Sequence, residues 1–164
     1  MEHNSLEQEV ARLLLSLGIT IAVAESCTGG LICHRLTNIS GSSDYLERGV
    51  VAYSNRSKIE LLGISGQVIE EHGAVSEMCV RAMASGIKQL AGTDLGLSVS
   101  GIAGPTGGTL EKPVGTVYIA MAWNEDVQCW KYFFEGSRGE IKQQASEEAL
   151  LRIRDHLRAL RSKE

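Results

Sequence analysis

In Ala24-Glu25-Ser26-Cys27-Thr28-Gly29-Gly30, two hydroxyls and a thiol stand between an apolar run and the start of a helical pattern. The run before it, Ile19 to Ala24, reads as a short buried strand; Leu31-Ile32-Cys33-His34-Arg35-Leu36 after it reads as the first turns of a helix. A strand that ends in small hydroxylic residues and turns directly into a helix is where α/β proteins commonly hold ligands. The helix start presents unpaired N–H groups and the positive end of the helix dipole. Gly29 and Gly30 let backbone and ligand approach closely. The chemistry that fits is the holding of an anion, or a nucleophile that forms one. The plainer alternative is an N-cap followed by a glycine turn.

A serine nucleophile needs a base to take its proton. His34 falls inside the following helix, His72 precedes a glycine turn, and His3 and His156 lie near the chain ends, so none is a convincing partner. Lys58, one turn into a short helix after another strand end, could reach the same rim. Lysine serves as a base when burial or a neighbouring cation lowers its pKa, although Lys58 also reads as a solvated helix lysine. A thiol at a helix start can be activated, but adjacent residues at such a turn point different ways, so Cys27 is expected to pack inward as a small apolar group. Glu25 reads as a satisfied polar residue at the strand end, with orientation of Lys58 as the alternative. A second glycine-rich loop, Gly101 to Thr109, follows a further strand. Either loop could supply N–H donors to an oxyanion or cradle a phosphate, and this one matches no dinucleotide or Walker pattern.

The elements that must position these residues are legible as periodicity. Ser5 and Gln8 form a capping box ahead of a helix with Leu6, Val10, Leu13, Leu14 and Leu17 on one face, stopped by Gly18. A second strand runs from Leu46 to Tyr53, and Ser54 or Asn55 caps a short helix through Leu62 that carries Lys58. Gln67 to Glu71 reads as a helical turn. Ser76 caps a longer helix with Val80, Met83, Ala84, Ile87 and Leu90 inward, ended by Gly92. Asp94 to Ser100 is a third strand. Gly115 to Trp123 and Val127 to Glu135 form a hairpin around Asn124-Glu125-Asp126, whose Trp130, Tyr132, Phe133 and Phe134 are expected in the sheet core or a subunit contact. A last helix starts near Ser137 with Ile141, Ala145, Ala149, Ile153, Leu157 and Leu160 on its face. This order predicts a single-domain layered α/β/α sandwich with a mixed sheet, parallel in its first three strands and antiparallel in the hairpin.

With 164 residues, 43% hydrophobic and 22% charged, the chain suits one globular domain. A net charge of −4 offers no footprint for nucleic acid or a membrane surface. No run of about 18 apolar residues and no signal-peptide pattern is present, which points to the cytoplasm. Cys27, Cys33, Cys79 and Cys129 form no CxxC pair and no metal-like cluster with histidine, so free thiols and no metal or other cofactor are expected.

Two stretches together resemble the C-terminal domain of the competence/damage-inducible protein CinA: Ala24 to Gly30, and Ser100-Gly101-Ile102-Ala103-Gly104-Pro105 through Lys112-Pro113-Val114-Gly115-Thr116-Val117. Arg48 to Asn55 with Lys58, and His72-Gly73-Ala74-Val75-Ser76, also match. The likeness runs from about Leu6 to Leu157, so residues 1–164 are expected to form one such domain. The N-terminal domain of larger members is absent from this sequence, and no activity of that domain is expected. What the resemblance implies is hydrolysis of the carboxamide of nicotinamide mononucleotide (NMN) to nicotinate mononucleotide and ammonia, in pyridine nucleotide salvage. It maps a serine nucleophile onto Ser26 and a lysine onto Lys58, with Tyr53 matching a tyrosine of the same site region and expected to be catalytic with them, and Arg138 matching a family arginine. Arg138 is then the best cation for the phosphate, and substrate contacts are expected at Thr28, Gly29, Gly30, Asn55, Gly104, Thr106 and Gly107. Thr106 stands where relatives often have aspartate, which removes support for an essential acid there. The alternatives are a non-catalytic nucleotide- or phosphate-binding module of the same fold and, behind it, a cysteine-dependent transferase at Cys27. The expected partner is a small molecule, and a homo-oligomer is compatible with this reading.

Overall fold

Side-chain alternation along the central strands sets the layers of the protein, a computed structural model that describes residues 4–163. In chain order the elements are α1 (Leu6–Leu17), β1 (Ile21–Glu25), α2 (Leu31–Thr37), β2 (Leu46–Val51), α3 (Asn55–Leu62), α4 (Gly66–His72), α5 (Glu77–Ala91), β3 (Leu95–Gly101), β4 (Thr116–Trp123), β5 (Asp126–Phe133) and α6 (Arg138–Arg161). They build one five-stranded sheet in the order β2-β1-β3-β4-β5. β1 is parallel to both β2 and β3, and β4 and β5 add antiparallel pairing. This is the predicted mixed α/β sandwich.

The two faces of the sheet carry side chains of different size. Ile21, Val23, Leu95, Leu97 and Val99 point toward α1, α2 and α6, where Leu13, Leu14, Ile141, Ile153 and Leu157 complete the larger core. Each such buried side chain contributes about 1.5–3 kcal/mol. Ala22, Ala24, Ala120 and Ala122 point the other way, toward Val80, Met83 and Ile87 of α5. Small residues there let α5 lie close to the strands: a Cβ on Gly96 would overlap the Ala84 carbonyl, and Ser98 Oγ donates to the Val80 carbonyl at 2.6 Å. Leu90, expected on the inner face of α5, is half exposed; the buried face consists of Cys79, Val80, Met83, Ala84 and Ile87. The hairpin turn is two residues rather than three, Asn124 and Glu125, since Asp126 already pairs with Trp123. Trp130, Tyr132 and Phe134 pack on the larger core as expected, whereas Phe133 points to the opposite face and is exposed.

The helices begin where the sequence places their caps. Ser5 with Gln8, and Ser137 with Glu140, form capping boxes, and Ser54 and Ser57 form another at α3. Arg35 of α2 is buried and ties three helices together. Its Nε donates to Glu7 of α1 at 2.6 Å, and its two Nη groups donate to Ser146 and Glu147 of α6. No helix among the described residues is long and apolar enough to cross a membrane.

The chain leaves β1 through α2 toward β2 on one side, then returns through α3, α4 and α5 to β3 on the other. Strand order therefore reverses at β1, and the crevice beyond the carboxyl ends of β1 and β3 is the place such a sheet offers a ligand.

Candidate active site

Ser26 is the first residue beyond β1, and the same alternation that sends Glu25 toward α2 sends Ser26 toward the α3–α5 side. Its N–H donates to the Val99 carbonyl at 3.0 Å, continuing the sheet by one rung. Lys58 lies in the second turn of α3 and is only 1% exposed. Its nitrogen stands 3.0 Å from Ser26 Oγ, 2.9 Å from the Ala52 carbonyl and 3.2 Å from the Tyr53 carbonyl. The carbonyls can only accept. In the ammonium form Lys58 donates to all three oxygens; in the neutral amine its two N–H groups satisfy the carbonyls and the lone pair faces the Ser26 hydroxyl. Burial holds the lysine below its ordinary value, opposed by the nearby thiols of Cys79 and Cys27. The arrangement can therefore take a proton from Ser26 without any histidine.

Around this pair lies a cavity of about 250 Å³. Of the residues singled out in the sequence, Ser26, Lys58, Tyr53, Asn55, Gly104, Thr106, Gly107 and Arg138 line it. Arg138, the first residue of α6, bridges the mouth: its Nη1 donates to the Gly104 carbonyl and its Nη2 to the Tyr53 hydroxyl, each at 2.8 Å. Two of its five N–H donors are thus committed, and the rest are available to a ligand at the rim. Tyr53 itself is 57% exposed, so it closes the mouth rather than the buried end.

Thr28, Gly29 and Gly30 do not line the cavity. Thr28 is buried, and its hydroxyl donates to Glu25 Oε1 at 2.6 Å. The helix start that seemed ready for an anion is filled by the protein's own carboxylate, since the N–H groups of Ile32 and Cys33 also donate to Glu25. Gly29 and Gly30 make the turn in the left-handed region, with Lys142 Nζ 3.6 Å from where a Gly29 Cβ would stand. That leaves the second glycine-rich loop as the richer source of donors. Among the described residues, the N–H groups of Ala103, Gly104, Thr106, Gly107 and Gly108 have no intramolecular acceptor.

Cys27 also touches the cavity but belongs to the larger core. Burial, reinforced by Glu25 and opposed by Lys58 and Lys142, pushes its thiol up to about 12. A thiol with that pKa is protonated at neutral pH and a poor nucleophile. The sequence reading missed Ala74, Val75 and Ser100 as cavity walls. Ser100 could have been found by alternation, since it shares a face of β3 with Ser98; its hydroxyl donates to the Ala74 carbonyl at 2.9 Å. A larger depression of about 600 Å³, lined by Ser85, Lys88 and Glu125 among others, holds no comparable pairing of nucleophile and base.

The profile of the CinA C-terminal domain matches residues 3–157. A CinA-like protein of Syntrophus aciditrophicus is 53% identical over 159 residues, covering 96% of this chain and 38% of that protein. Another, of Syntrophotalea carbinolica, is 48% identical and covers 93% of this chain and 37% of its own length. The chain thus spans well under half the length of these curated relatives. Among solved structures, the competence damage-inducible protein A of Klebsiella pneumoniae superposes with a TM-score of 0.90 at 36% identity, covering 93% of this chain and 94% of that one. A CinA superfamily protein from Klebsiella pneumoniae 700603 reaches a TM-score of 0.92 at 33% identity, covering 97% and 99%.

Proposed function

The chain belongs to the CinA C-terminal domain family, and on that premise we propose that it hydrolyses the carboxamide of NMN to nicotinate mononucleotide and ammonia. The observation that carries this reading is the buried Ser26–Lys58 pair, 3.0 Å apart, in a cavity whose mouth carries Arg138. A module that only binds nucleotide has no need of a desolvated lysine against a serine hydroxyl.

In this mechanism neutral Lys58 takes the Ser26 proton as Oγ attacks the carboxamide carbon, and the carbonyl π pair moves onto oxygen. N–H groups of Ala103, Gly104, Thr106 and Gly107, which line the cavity, are the donors assigned to that oxyanion. Collapse of the tetrahedral intermediate breaks the C–N bond, and the Lys58 ammonium returns its proton to the departing amide nitrogen, which leaves as ammonia. Water, activated by the same amine, then attacks the acyl-Ser26 ester and releases the carboxylic acid with the serine regenerated. Arg138 would meet the phosphate at the exposed mouth, where a doubly charged group keeps most of its hydration.

The test is incubation of purified protein with NMN in excess chelator, following ammonia and the nucleotide product by chromatography. No step requires a metal, so turnover should persist. Activity lost to chelator and restored by a divalent ion would contradict the serine–lysine route, and binding of NMN without ammonia release would favour the binding module.

A further inference from the structure

Glu25 is a fully buried acid whose carboxylate contacts lie within eight residues of chain. Its Oε1 accepts from Thr28 Oγ1 at 2.6 Å and from the Ile32 N–H at 2.9 Å; its Oε2 accepts from the Cys33 N–H at 3.0 Å. Three donors around a group that only accepts is the pattern of a carboxylate. The helix it caps has no capping side chain of its own, because its N-cap residue is Gly30.

The main chain of Glu25 is equally committed. It ends the central strand, paired with Val51 of β2 on one side and Val99 of β3 on the other. Its carbonyl accepts from the Ala52 N–H at 2.8 Å, and the Ala52 carbonyl in turn holds Lys58 Nζ at 2.9 Å. One residue therefore borders both halves of the reactive pair. Its backbone reaches Lys58 through Ala52, and its side chain grips the chain just beyond Ser26. Only Ser26 and Cys27 separate the strand end from the clamped Thr28, so the nucleophile sits on a segment tethered at both ends.

We propose that the Glu25 carboxylate is a positioning residue, which sets Ser26 against Lys58 by clamping Thr28 and the first turn of α2. The inference rests on the reading of Ser26 as the nucleophile. Glu25 touches neither substrate nor reacting atoms; it acts through the geometry of the turn. Such geometry matters because a displacement of about 1 Å at a reacting group can cost on the order of a hundredfold in rate.

The informative variant is Glu25→Gln. It keeps the size but places an amide N–H₂ against one or more of the three donors, whichever way the amide is turned. The expected result is a loss of about tenfold in kcat on NMN with KM changed less than about twofold. Its crystal structure should show Ser26 Oγ beyond hydrogen-bond distance of Lys58 Nζ. Thr28→Val removes only the hydroxyl contact and should cost kcat about threefold, while Thr28→Ser should restore the wild-type value. If Glu25→Gln does not fold, the two Thr28 variants decide. A purely structural role predicts lower melting temperatures, wild-type kcat in the folded fraction and an unchanged 3.0 Å separation; that outcome overturns the proposal. Should the wild-type protein leave NMN intact, the proposed function fails, and the Ser26–Lys58 distance in the variants still decides the role of Glu25.

Discussion

Lys58 must be neutral to accept a proton, and burial moves it in that direction from the ordinary lysine value of 10.5. The sign follows directly. Activity should rise with pH as Lys58 loses its proton and level off above its depressed pKa, so kcat/KM should show an acidic limb that sits below 10.5. Lys58→Arg should abolish turnover, since guanidinium stays protonated throughout the accessible range. The same depression enters stability: the unfolded chain binds this proton more tightly, so the penalty of burying Lys58 bears at lower pH and fades as pH rises toward the unfolded value. Cys27 should matter far less. With its thiol held up near 12 by burial, Cys27→Ala is expected to keep kcat within a few-fold, at a stability cost of about 1 kcal/mol for lost packing. Arg138 lies at the solvent-exposed mouth, so its charge is screened. Arg138→Ala should weaken NMN relative to nicotinamide riboside by about 1–2 kcal/mol, read as the ratio of their kcat/KM values. Equal loss on both substrates would assign Arg138 to holding Tyr53 and Gly104 in place.

The elements that carry these residues were legible because each obeys one dominant local rule. Helices α1, α5 and α6 announce themselves by a hydroxylic cap and a 3.6-residue apolar period, α3 by its cap, and β1 and β3 by short apolar runs ending in small residues. What sequence could not convey was which groups would already be satisfied. Thr28 reads as a ligand contact in the sequence, yet it faces Glu25, whose clamp extends eight residues on to Cys33; no local pattern specifies that a carboxylate will fold back onto the following helix. Ser26 and Lys58 are 32 residues apart, and only the crossover from β1 to β2 brings them to one rim. Arg35 shows the same limit, reading as an ordinary helix arginine but fastening α2 to α1 and α6. Arg35→Ala should lower unfolding free energy by about 2–3 kcal/mol, because it leaves Glu7 and Ser146 without their donor in a partly buried setting. Chemical denaturation measures it, and a loss under about 0.5 kcal/mol would show that water replaces the network.

At the scale of the whole molecule, the sheet's carboxyl edge gathers chemistry while its opposite faces supply stability, and the two respond differently to pH. His156 of α6 packs edge-on against Trp123 of β4, ring centroids 5.1 Å apart, with Nε2 buried and without a partner among the described residues. Burial, aided by the charge of Lys163, lowers its pKa from 6.5. The unfolded chain therefore takes up this proton first, and the stability present above pH 6.5 is lost as pH falls through the depressed folded value. Melting temperature should drop as pH falls below 6.5, and His156→Phe should flatten the slope. In the proposed mechanism turnover depends instead on Lys58. The most direct test of the serine–lysine account is therefore kcat for ammonia release from NMN, measured for wild type, Ser26→Ala, Lys58→Ala and the double variant. Two residues that act as one unit predict losses of about a thousandfold or more in each single variant, with the double variant no worse than the more severe of them. A Ser26→Ala protein that releases ammonia at near wild-type rate would contradict the account.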